Sequence, residues 1–98
     1  MGRLNLYLVC YDISDPDRLR KVHTIMKGFG HSLQYSVFTC HLSKQGKTEL
    51  IASLDKTINH QEDRIMIVNL GPVNDNTQER FTFLGCRPSK RDRKAVII

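Results

Sequence analysis

Ninety-eight residues, 40% apolar and 26% charged, describe one ordinary globular domain with no room for a second. A net charge of +5 favours an anionic partner, nucleic acid before an acidic membrane or protein. Three cysteines with no Cys-x-x-Cys pair argue against a disulfide framework and a cysteine-rich zinc site. No leader and no apolar run near the roughly 20 residues that span a bilayer can be found, so the chain reads as cytoplasmic.

The first element is a strand from Leu4 to Tyr11, apolar on both faces apart from Asn5, so both faces should be covered. Asp12-Ile13-Ser14 is a turn leaving that strand, with an acidic residue at the mouth of the sheet. Asp15 suits a helix N-cap and Pro16 the first helical position. The helix runs from Pro16 to about Lys27, with Leu19, Val22, Ile25 and Met26 facing the sheet. Asp17 and Lys21, four apart, can pair on its surface. Gly28-Phe29-Gly30 should end it, glycine taking a left-handed conformation just past the last turn.

Leu33 to Leu42 is rich in β-branched and aromatic residues and reads as a tight or bulged hairpin turning near Tyr35-Ser36, with Val37 to Leu42 the longer arm. Cys10 and Cys40 are small apolar strand residues in this reading. Ser43 caps a second helix, Lys44 to about Ile58, whose apolar face is Leu50, Ile51, Leu54 and Ile58. A polar loop, Asn59 to Asp63, leads to a strand from Arg64 to Leu70 that Gly71-Pro72 should break. Val73 to Gln78 reads as loop and Phe81 to Leu84 as a short strand. Residues 86–98 form a basic extension ending in Ala95-Val96-Ile97-Ile98, which makes sense as a strand added to a sheet edge, most simply a partner's.

The order strand, helix, hairpin, helix, strand predicts an α+β ferredoxin-like βαββαβ sandwich, with two helices on one face of a four-stranded antiparallel sheet. The other face needs a cover, and a second copy across a two-fold axis supplies one.

For chemistry, no nucleophile sits in a triad setting, and the four histidines are dispersed. Asp12 is the better candidate, against the plain alternative of a turn residue satisfying nearby amides. One carboxylate per chain is a thin magnesium site, but two copies of Asp12 meeting at a dimer axis could clamp one ion. Arg18 and Arg20 could hold phosphate, or simply be solvated. Tyr11, Tyr35 and Phe38 could stack on unpaired bases, with core or interface packing as the commoner use of each.

YDISDPDRLRKVHTIMKGFG followed by LQYSVFTC resembles CRISPR-associated protein two, a family of small ferredoxin-like proteins of the spacer-acquisition machinery. The most specific parts are Tyr11-Asp12 with Arg18 and Arg20, and Gln34-x-Ser36-Val37-Phe38. The resemblance implies a homodimer with facing sheets and C-terminal segments crossing to the partner. It implies magnesium held by Asp12 of both subunits, and Tyr11, Ser14, Arg18, Arg20 and Phe38 as the other functional positions. It further implies metal-dependent endonuclease activity on single-stranded RNA or double-stranded DNA. The family's other role is a non-catalytic bridge that holds DNA for the integrase, CRISPR-associated protein one. A ligand-sensing module remains a third possibility for a fold that does many jobs.

Overall fold

The structure, a computed structural model, describes residues 3–86. Its elements are β1 (Asn5–Asp12), α1 (Pro16–Phe29), β2 (His31–Gln34), β3 (Val37–Leu42), α2 (Lys44–Asp55) and β4 (Arg64–Pro72), then a 3-10 turn, Thr77–Arg80. The four strands form one antiparallel sheet in the order β2-β3-β1-β4. This is the expected ferredoxin-like α+β plan.

Strand β1 is central, running from Asn5↔Leu42 to Cys10↔Val37 along β3 and reaching Asp12↔Arg64 along β4. Alternation sends Tyr7, Val9 and Tyr11 to the helix side. There they join Phe38, Cys40 and Leu42 of β3, Val22 and Met26 of α1, and Leu50 and Leu54 of α2 in one buried core. Burying each large side chain contributes about 1.5–3 kcal/mol. Burial also pushes the Cys40 thiol up to about 11, so it stays a protonated, apolar packing group. On the opposite face Leu6 is buried, but Leu8 and Cys10 are only half-covered and Met66 is 52% exposed.

Helix α1 starts as expected: the Asp15 carboxylate accepts from the Arg18 N–H at 2.9 Å, with Pro16 just inside. Its end differs. The helix continues through Gly28 to Phe29, and Gly30 is extended (φ −163°), not left-handed. Glycine is needed at 30 for space, since a Cβ there would lie 2.2 Å from the Thr39 carbonyl oxygen and 2.5 Å from Cys40 Sγ. Asp17 pairs with Arg20, three residues on, in place of Lys21.

The hairpin turns at Tyr35-Ser36, as the sequence predicts. Helix α2 is capped by Ser43 Oγ, which accepts from the Gly46 N–H at 3.0 Å. It stops at Asp55, three residues early, and Ile51 is 42% exposed, outside its buried face. Strand β4 passes through Gly71-Pro72, where Pro72 lies across from Asn5 beside an irregular register. Gly71 takes φ +97°, which relieves the chain there. Pro72 at the end of an edge strand gives up no needed ladder bond. Phe81 to Leu84 is not a strand; the chain leaves the 3-10 turn with the Phe81 N–H on the Gln78 carbonyl, and the Phe81 and Phe83 rings stack at 6.5 Å. The expected strand Ala95–Ile98 and most of the basic extension lie outside the described residues. Among the described residues no helix is long and apolar enough to cross a membrane.

Candidate active site at the end of strand β1

The last two residues of β1 point to opposite faces, so their environments differ sharply. Tyr11 is buried, with its hydroxyl 3.0 Å from His23 Nδ1. Burial, with the nearby Tyr35 adding to it, raises the phenol above its ordinary value and keeps it protonated. The His23 ring meets Phe38 edge-on at 5.4 Å, and Tyr11 lies tilted against Phe38 at 6.2 Å. Phe38 has no exposed surface, so it supports this cluster from within the core and presents nothing to a ligand. Asp12, by contrast, is exposed at the strand's end, across from the exposed Arg64.

The turn that follows Asp12 is held by Asp63, the last residue of the loop before β4. The Asp63 carboxylate accepts from the Ser14 N–H at 2.9 Å and the Asn59 N–H at 2.8 Å. Arg18 grips both of its oxygens, Nε donating to Oδ2 at 2.8 Å and Nη2 to Oδ1 at 3.2 Å. Arg18 Nη2 also reaches Glu62 Oε1 at 3.0 Å, and the Ser14 hydroxyl donates to the Glu62 carbonyl at 2.7 Å. The Asp63 side chain has no exposed surface. The Arg18 guanidinium, helped by the Asn59 and Ser14 N–H groups, holds Asp63 well below the usual carboxylate range, against the opposing pull of burial. The same hydrogen bond raises Arg18 further above its ordinary value.

Two of the predicted site residues, Ser14 and Arg18, are therefore committed to the chain's own loop. Arg20 is different: 73% exposed, it pairs among the described residues only with the equally exposed Asp17. Asp63 and Glu62 were missed by the sequence reading, which gave Asn59 to Asp63 as a plain polar loop. The signal available was an acidic pair at the start of β4 with an Asn four residues before the second acid. Asn59 folds the loop back by accepting from the Gln61 and Glu62 N–H groups at 2.8 and 3.1 Å.

Among the described residues no three His, Cys, Asp or Glu side chains gather as a metal site. Asp12 is a hard oxygen donor facing solvent, which suits magnesium as half of a site, the ion taking one or two carboxylates and keeping water.

Together these features define a ferredoxin-like α+β protein that presents one acidic side chain at the mouth of its sheet, beside a basic helix. The family described as CRISPR associated protein Cas2 matches residues 5–78, and the chain belongs to that family. It is 36% identical to the CRISPR-associated endoribonuclease Cas2 of Geobacter sulfurreducens, over 96% of this chain and 98% of that one. It is 39% identical to the CRISPR-associated endoribonuclease Cas2 1 of Rhodospirillum rubrum, over 94% of this chain and 89% of the relative. Its fold is similar to the crystal structure of Streptococcus pyogenes Cas2, with a TM-score of 0.70 and 28% identity over 82% of this chain and 99% of that one.

Proposed function

We propose that the chain is a magnesium-dependent endonuclease of CRISPR spacer acquisition, working as a homodimer in the cytoplasm. The observation that carries this reading is Asp12: an exposed carboxylate at the end of a central strand, before a turn fixed by the hydrogen bonds of Ser14 to Asp63 and to the Glu62 carbonyl. A carboxylate needed only for the turn would have its oxygens on nearby amides, and here Asp63 has that task. The relatives' name, endoribonuclease, favours RNA over DNA as substrate.

In this reading Asp12 from each of two chains holds magnesium, which when bound polarises the scissile phosphate and activates a water. The chain's own residues bind and orient. Arg20 takes phosphate oxygens by charge-assisted hydrogen bonds, its exposed pair with Asp17 being weak enough to exchange. Arg18 acts through Asp63, holding the turn so that Asp12 arrives in one orientation. Tyr11 and Phe38 form the floor under the helix.

The test is Asp12→Asn, assayed on labelled RNA and duplex DNA with magnesium and with chelator. An amide oxygen is a far weaker ligand for a hard cation, so cleavage should fall by a factor on the order of a hundred or more, with folding kept. Full cleavage by the variant would remove Asp12 from the mechanism. Loss of cleavage with integration intact, in a complex with CRISPR-associated protein one, would separate the chemistry from the protein's bridging part in adaptation.

A further inference from the structure

Of the three aromatics that could stack on a base, the fold buries two. Phe38 is wholly enclosed and Tyr11 nearly so, whereas Tyr35 is 79% exposed at the tip of the β2–β3 hairpin. It does not stand over open surface. Between that tip and helix α1 lies a cleft of about 330 Å³ lined by Tyr11, Leu19, Arg20, His23, Thr24 and Tyr35. Its size is at the small end of ligand sites, which span about 300–1,000 Å³. Its walls are mostly apolar, from Leu19 and the tyrosine rings, with few polar groups.

Those polar groups are well placed for a planar heterocycle. The Tyr11 hydroxyl and His23 Nδ1 satisfy each other. His23 Nε2 has no protein partner among the described residues, and no unpaired side-chain nitrogen or oxygen there is buried, so it opens to solvent where His23 lines the cleft. It can exchange a hydrogen bond with a base edge. Arg20, on the same wall, brings a guanidinium suited to phosphate, and the chain's net charge of +5 has the matching sign.

We propose that this cleft takes one unpaired nucleobase of a single-stranded nucleic acid, stacked on Tyr35, with its edge at His23 and its phosphate on Arg20. The inference rests on the nuclease reading and narrows it. A base within a duplex has both faces stacked and its pairing edge occupied, so it cannot enter; an unpaired base offers a free face and a free edge. The cleft thus supplies a physical reason for the chain to prefer single strands.

The experiment is fluorescence anisotropy with chelator present, using a labelled unstructured single-stranded RNA of mixed sequence and about eight nucleotides, within the usual range of single-strand site sizes, and a duplex DNA of matched length. The proteins are the full chain, Tyr35→Ala and Tyr35→Trp. Because Tyr35 is exposed, neither substitution touches the core. Tyr35→Ala should weaken RNA binding by about 5- to 150-fold, the worth of one stacked base. Tyr35→Trp should keep it, and duplex binding should not change. The slope of log affinity against log salt should also stay the same, because no phosphate contact is removed. Tyr35→Ala binding the RNA like the parent, or losing duplex equally, overturns the proposal while the nuclease reading stands. A parent that binds neither oligonucleotide overturns both.

Discussion

Gly28 and Gly30 look alike in the sequence, yet the structure gives alanine opposite effects at the two positions. Gly28 lies inside the last turn of α1 with nothing within 4 Å of where a Cβ would be. Gly28→Ala should stabilise by about 0.5–1 kcal/mol, the cost of glycine in a helix. At Gly30 the backbone is extended and would accept alanine, so strain in the dihedral angles plays no part. The contact does: the new methyl would sit 2.2 Å from the Thr39 carbonyl oxygen and 3.0 Å from its carbon. Those atoms belong to the β3 backbone and cannot rotate aside, and Cys40 beneath them is fully buried. Strand β3 must shift against α1, by about an ångström to restore van der Waals distance, and overpacking of this kind costs typically about 1–3 kcal/mol. For a domain this size each kcal/mol moves Tm by about 4–8 °C. Gly28→Ala should therefore melt roughly 2–8 °C higher and Gly30→Ala roughly 4–24 °C lower, followed by circular dichroism at one fixed protein concentration. Gly30→Ala melting at or above the parent would refute the reasoning, as would a loss at Gly28. The shift should also reach the Tyr35-Ser36 turn at the other end of β2 and β3, and so the cleft.

The Asp63 contacts predict acid sensitivity. Its carboxyl is depressed in the folded chain, so the stability it contributes is complete above the ordinary carboxylate value near 4 and drains away as pH falls below that. Urea unfolding of the parent and Asp63→Asn at pH 7 and pH 3 checks this: the variant should be weaker at pH 7 and lose less on acidification, and equal losses would rule the contact out as the source. The half-covered sheet face at Leu8, Cys10 and Met66 predicts a dimer burying more than about 1,000 Å² in total. Sedimentation at micromolar concentration should give twice the 11.3 kDa chain mass, and Met66→Glu should shift it toward one; a parent found only at 11.3 kDa refutes the idea.

What could be read from the sequence was local. The apolar run Leu4 to Tyr11, the Asp15-Pro16 start and the Tyr35-Ser36 turn each involve residues a few places apart, and all three stand in the structure. The readings that failed were local rules overridden by distant neighbours. Gly30 answers to Thr39 across a strand, and Gly71-Pro72 stays in β4 because Asn5 of β1 is there to pair with it. Arg18 answers to Asp63, 45 residues on, a separation that no periodicity reports. Yet one part of that outcome was available at the start. Arg18 and Arg20 are two apart on a helix, about 200° around its axis, so they could not both face one phosphate. One had to turn toward the protein and the other toward solvent. The acidic pair Glu62-Asp63 decides which: Arg18 fastens the turn behind Asp12, and Arg20 is the guanidinium left free enough to meet a substrate. On the proposed nuclease reading, a substitution at either arginine would therefore reduce activity for different reasons, through the position of Asp12 in one case and through the grip on phosphate in the other.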